Sequence, residues 1–131
     1  MTYPAALRYT KDHEWIGVNG ELGTFGLTDY AQSQLGDVVF VELPKPGTKL
    51  EAGKPLGTVE SVKAVFDIYA PASGEVTEVN GDLVNAPEKI NQDPHQGGWL
   101  VKVRLSNRAE VTGLMDAKAY ETYLSGLGES S

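Results

Sequence analysis

Glycine and proline cut this chain into short pieces, and that punctuation constrains the fold more than any other feature. The 131 residues include 15 glycines and 7 prolines. The pieces between them have the length of single strands and are rich in β-branched and aromatic residues. "DVVFVEL" (37–43) is a strand of this kind. "WLVKVRL" (99–105) alternates, with Trp99, Val101, Val103 and Leu105 assigned to one face and Lys102 and Arg104 to the other. Residues 8–27 read as strand, turn, strand, with Asn19-Gly20 suited to the positive φ of a type I′ turn. "LGTVESVKAVFDIYA" (56–70) is a second hairpin, "PASG" turns the chain, and "EVTEVN" (75–80) is another short strand.

Helices are few and small. In "TDYAQSQLG", Thr28 can cap, Asp29 complements the helix N-terminus and Gly36 can terminate, with Tyr30, Ala31 and Leu35 facing inward. "PKPGTKLEAGKP" (44–55) is turn-rich. "GDLVNAPEKINQDPHQGG" (81–98) holds one expected helical turn, with Pro87 at a first helical position. The tail sets Tyr120, Tyr123, Leu124 and Leu127 at helical spacing; Gly126 or Gly128 is expected to end that helix, and the last residues to fray. The sum is a mainly β fold, a sandwich or flattened barrel with peripheral helices, in one domain over 1–131.

Several function classes lack their residues. There is no cysteine, so disulfides, thiolate metal sites and a cysteine nucleophile are excluded. The two histidines, His13 and His95, fall in different elements without a paired-ligand pattern, and each reads as structural or solvated. No phosphate loop and no nucleophile elbow appear. A net charge of −7 disfavours phosphate backbones and anionic lipid and favours partners with basic docking patches, although mild acidity also simply aids solubility. No apolar run approaches the ~20 residues of a membrane span, and the first residues do not have the pattern of a secretory signal or transit peptide.

Lys63 is the residue that remains. "GTVES" before it and "AVFDIYA" after it are strand-like, so Ser61-Val62-Lys63-Ala64 is the expected hairpin tip. With neither Gly nor Asn for a primed turn, a type I geometry is expected there. From pattern alone the plainer account is a gatekeeper lysine that discourages edge-to-edge pairing.

A wider set of segments changes that weighting. "HEW" (13–15), "GLTDYAQSQLGDVVFVELPKPG" (26–47), "ESVKAVFDIYAPASGEV" (60–76), "VNAPEKINQDPHQGGW" (84–99) and "MDAKAYETYL" (115–124) together resemble the glycine cleavage system H proteins, in order and over nearly the whole chain. The resemblance implies a barrel-sandwich hybrid of the lipoyl and biotinyl carrier type. It also implies lipoate in amide linkage to Lys63, within an attachment motif formed by Glu60, Val62, Lys63 and Ala64. The implied role is that of a carrier subunit, not an enzyme. It takes an aminomethyl group from the pyridoxal-phosphate glycine decarboxylase (P protein) to the tetrahydrofolate-dependent aminomethyltransferase (T protein). The dithiol then goes to dihydrolipoyl dehydrogenase (L protein), and a lipoate-attaching enzyme is the fourth partner. A monomer in the bacterial cytoplasm, or in the mitochondrial matrix for a processed form, is implied as well.

The rival readings are another lipoyl or biotinyl carrier and a non-lipoylated interaction protein. Biotinyl carriers usually flank the lysine with methionine, whereas here the flanks are Val62 and Ala64. An extended lipoyl-lysine reaches on the order of 15 Å. If the strand is extended, Asp67 stands roughly 13 Å along it on the face from which Lys63 starts. Asp67 is therefore a candidate for holding the loaded arm's amine against the protein. Glu14 is the second candidate, on the resemblance to the family's arm-binding cleft; both acids read equally as solvated charges.

Overall fold

The computed structural model describes residues 3–129. Nine strands form two sheets. A six-stranded sheet has the order β1-β2-β3-β9-β8-β5, and a three-stranded sheet the order β4-β6-β7. The strands are β1 (Leu7–Tyr9), β2 (Glu14–Asn19), β3 (Leu22–Leu27), β4 (Val38–Glu42), β5 (Lys49–Leu50), β6 (Pro55–Ser61), β7 (Val65–Tyr69), β8 (Gly74–Val79) and β9 (Val101–Leu105). All the strand pairs are antiparallel. The helices are α1 (Asp29–Leu35), α2 (Asp82–Asn85), α3 (Lys89–Gln92), α4 (Ala109–Thr112) and α5 (Ala117–Glu129).

The sheets close on one apolar core. Ile16, Phe25, Val76, Val101 and Val103 from the larger sheet meet Val38, Leu56, Val59 and Ile68 from the smaller. Burial of this many branched side chains, at roughly 25 cal/mol per Å² of apolar surface, is the main term holding the sheets together. A second cluster of Tyr3, Tyr9, Trp15, Ala117 and Tyr120 seats α5 on the outer side of β1 and β2. Tyr9 and Tyr120 stack at 4.8 Å between ring centroids.

Several local expectations need correction. Residues 8–19 are two strands, because the chain turns sharply between Tyr9 and Glu14 and His13 takes φ 69°. Of the expected type I′ pair only Gly20 has positive φ, and Asn19 pairs with Leu22, so the loop has the sign pattern of a type II′ turn. The turn-rich stretch also contains β5, which a two-residue pairing with β8 creates. Residues 81–98 hold two helices, and Pro87 lies two positions before α3 with its carbonyl accepting from Ile90 N. Trp99 precedes β9 and packs with the second cluster, Lys102 Nζ sitting 5.0 Å from its ring, so it does not share the face of Val101 and Val103. Neither tail glycine ends α5 as expected, because the helix runs on to Glu129. The expected fraying of the final residues lies outside the described residues.

Candidate functional site

The chain folds β6 and β7 into a hairpin because both carry β-branched residues in register, with Glu60 opposite Val65 and Thr58 opposite Asp67. The tip is the three residues 62–64 between them. A type I turn would close with the Ala64 N–H on the Ser61 carbonyl; here that N–H goes to Ser61 Oγ at 3.3 Å. The same oxygen accepts from Lys63 N at 3.2 Å, and Ser61 N donates to Ala64 O at 2.9 Å. Val62 N donates to Asp37 O at 3.0 Å, which ties the tip to the end of α1. The backbone under Lys63 is therefore fixed while its side chain is exposed. Among the described residues Lys63 Nζ has no ion-pair partner.

Gly36 is the C-cap of α1, with φ 80° and ψ −157°, a conformation open essentially to glycine alone. A Cβ there would stand 3.4 Å from Lys63 Cε, so the lysine stem lies over this cap. Farther along the same helix, a cleft of ≈ 200 Å³ opens between α1, the loop before β2 and the strands β6 and β7. Its apolar wall is Leu27, Ala31, Leu35, Val59 and Phe66. Its polar wall is Asp12, His13, Glu14, Gln34 and Asp67.

Glu14 and Asp67, 53 positions apart in sequence, thus line one cleft. Glu14 is brought there by the hydrogen bond that Tyr69 N donates to its Oε2 at 3.3 Å. Thr10 Oγ1 lies 2.6 Å from Oε1 and accepts from Glu14 N at 3.1 Å. Glu14 is 2 % exposed, and this burial pushes its pKa up to about 7 against the pull of the Thr10 and Tyr69 hydrogen bonds. Asp67, by contrast, is exposed. Glu60 is exposed on the outer face of β6, and Val62 and Ala64 flank the lysine in the open.

The sequence had not marked Asp12, His13 or Gln34 as cleft residues, and Ser61 had been only part of a tip. Nothing in the spacing shows that α1 will stand opposite residues 12–14. His95 is structural, since its Nε2 accepts from Asp29 N at 3.2 Å. Burial lowers the pKa of both histidines. Among the described residues no cluster of three or more His, Asp or Glu could hold a metal, and no helix is long and apolar enough to cross a membrane.

A two-sheet β fold of this topology, with one lysine presented at a braced hairpin tip, defines a carrier domain of the lipoyl type. The family model described as Glycine cleavage H-protein matches residues 7–126. A glycine cleavage system H protein of Acidobacterium capsulatum is 60% identical over 124 residues, covering 95% of each chain. One from Symbiobacterium thermophilum is 56% identical over 120 residues, covering 92% of this chain and 94% of the relative. The crystal structure of a glycine cleavage system H protein from Mycobacterium marinum superposes with a TM-score of 0.86 at 40% identity, over 94% of this chain and 99% of that one. The chain belongs to the glycine cleavage H-protein family. It is accordingly a lipoyl carrier of the glycine cleavage system, a carrier subunit and not a catalytic one.

Proposed function

We propose that Lys63 is the residue that carries lipoate, and that the cleft beside α1 receives the loaded end of the arm. One observation supports this above the rest: Lys63, exposed at the tip of the β6–β7 hairpin, stands on the cap of the helix that walls the cleft. The residues present suit the group. Lys63 is exposed and, among the described residues, its amine has no ion-pair partner, as amide formation requires, and Glu60, Val62 and Ala64 give an attaching enzyme open flanks. The aliphatic arm would lie along Leu35, Val59 and Phe66.

When bound, lipoate supplies a disulfide that is reduced as it takes up an amine-bearing one-carbon fragment. The chain's own residues do the rest. The Ser61 hydroxyl and the Asp37 carbonyl hold the tip. Exposed Val62, next to the lysine in the chain, and exposed Phe40 and Val65, in register on either side of Glu60, offer apolar surface for an enzyme's entrance to cover. Asp67 and Glu14 offer carboxyl oxygens to a cationic amine, and the apolar wall keeps water from it. The partners are then the P, T and L proteins and a lipoate-attaching enzyme, met one after another by a monomer in the bacterial cytoplasm.

The test is to lipoylate the chain, load it with glycine and the decarboxylase, remove the decarboxylase and follow formaldehyde release. Wild type is expected to release it more slowly than Glu14→Ala or Asp67→Ala. Equal rates in all three, matching a small loaded lipoamide, would remove the sheltering role. Failure to load at all would remove the carrier role assigned to Lys63.

A further inference from the structure

His13 stands in the cleft in a conformation that few residues other than glycine adopt, with φ 69°. Its backbone is held on both sides. His13 N donates to Thr10 O at 3.1 Å, and its carbonyl accepts from Thr28 N at 3.0 Å. Its ring is held from a third direction by α5, with Nδ1 2.8 Å from Tyr120 Oη. Tyr120 Oη is also 2.7 Å from Thr28 Oγ1. Thr28 is the N-cap of α1, and its Oγ1 accepts from Ala31 N at 3.2 Å. One phenol therefore joins both walls of the cleft, the loop bearing His13 just before Glu14 and the helix bearing Ala31 and Leu35.

Counting protons fixes the direction of this chain. Thr28 is fully buried. Among the described residues, its hydroxyl proton has one acceptor in reach, Tyr120 Oη. The Tyr120 proton then goes to His13 Nδ1. The reverse direction would leave the Thr28 proton without an acceptor in a fully buried place, which is expensive. We propose that Tyr120 holds His13 as its Nε2–H tautomer and so makes it a fixed hydrogen-bond donor in the cleft, facing an acceptor such as the amide carbonyl of the acyl-lysine arm.

The cleft has use for a donor. Asp12, Glu14 and Asp67 accept when ionised, Glu14 doing so only as pH rises through about 7, and the exposed Gln34 amide is a neutral polar group among the lining residues. Carboxylates can hold a cationic amine but not a carbonyl oxygen. Burial keeps His13 neutral at ordinary pH, against the pull of Asp12. Tyr120 acts through His13 and is a positioning residue. The tautomer follows from this chain alone, whereas the contact with the arm rests on the function proposed above.

The experiment is a long-range ¹H–¹⁵N correlation on the unmodified protein with ¹⁵N-labelled histidine, near pH 8. His95 is an internal control, because its Nε2 accepts from Asp29 N and its proton must be on Nδ1. The spectrum should show one histidine of each tautomer, with His13, assigned by His13→Asn, as Nε2–H. An Nδ1–H signal for His13 overturns the proposal. Tyr120→Phe keeps the ring that stacks on Tyr9 and removes only the hydroxyl. It should turn His13 into a tautomer mixture and leave His95 unchanged; a His13 tautomer unaffected in that variant also overturns the proposal. Thr28→Val, which removes the proton that orders the chain, should have the same effect and serves if Tyr120→Phe does not fold. In protein carrying the loaded arm the His13 Nε2–H resonance should move. An unmoved resonance overturns the donor role, and failure to attach the arm, seen by mass, counts against the function of Lys63 while leaving the tautomer decided.

Discussion

Glu14 concentrates the tension between folding and use in one side chain. Its pKa is raised to about 7 by burial, from an ordinary 4.5. Between those values the folded chain holds a proton that the unfolded chain has lost. The stabilisation is therefore complete below the unfolded value and is lost as pH rises through about 7. The shift corresponds to at most on the order of 3 kcal/mol. Wild type should thus lose stability to urea from pH 5 to pH 8, and Glu14→Gln, which mimics the protonated carboxyl, should lose much less. Parallel slopes for the two proteins would contradict a buried, proton-holding Glu14. The residue's importance was reachable in the sequence only through family resemblance. The hydrogen bond from Tyr69 that places it is a contact across 55 positions, and no local pattern encodes it.

Elements were legible where local chemistry settles them. Thr28, Asp29 and Gly36 bound α1 as their side chains or their freedom in φ require. Val38–Glu42 and Val101–Leu105 are strands because their residues fill a pleated, half-buried surface. The misreadings arise where tertiary packing overrides local preference. Sheet pairing alone makes a strand of Lys49–Leu50, and α5, seated on the tyrosine cluster by Tyr120, Tyr123 and Leu124, continues past Gly126 to Glu129. At the hairpin tip the deciding atom is the Ser61 hydroxyl, which takes two backbone N–H groups. Ser61→Ala leaves both without that acceptor and should cost about 1 kcal/mol. Amide hydrogen exchange at Lys63 and Ala64 should quicken in that variant while the core strands stay protected. Unchanged exchange at the tip would mean that the hydroxyl does not brace it.

The whole molecule is acidic, with a net charge of −7. A carrier must leave each enzyme after each step, which suits encounters assisted by charge more than tight burial. The apparent KM of the decarboxylase for this protein should rise several-fold as salt shortens the screening length from about 10 Å at 0.1 M to about 3 Å at 1 M. A value independent of salt would mean that the acidity serves solubility alone. Fold class was readable at this scale because Gly/Pro punctuation and strand composition agree along the chain. The cleft was not, since it exists only once α1, the residue 10–13 loop and the β6–β7 hairpin are assembled.

The central claim is that this fold exists to present one amine. Unmodified protein treated with a lipoate ligase and analysed by intact and peptide mass tests it most directly. A single lipoyl adduct is expected, on the peptide containing Lys63. No adduct is expected in Lys63→Ala, although Lys45, Lys49 and Lys54 remain exposed. Modification that persists in Lys63→Ala, or an adduct that maps to another lysine, would contradict the account.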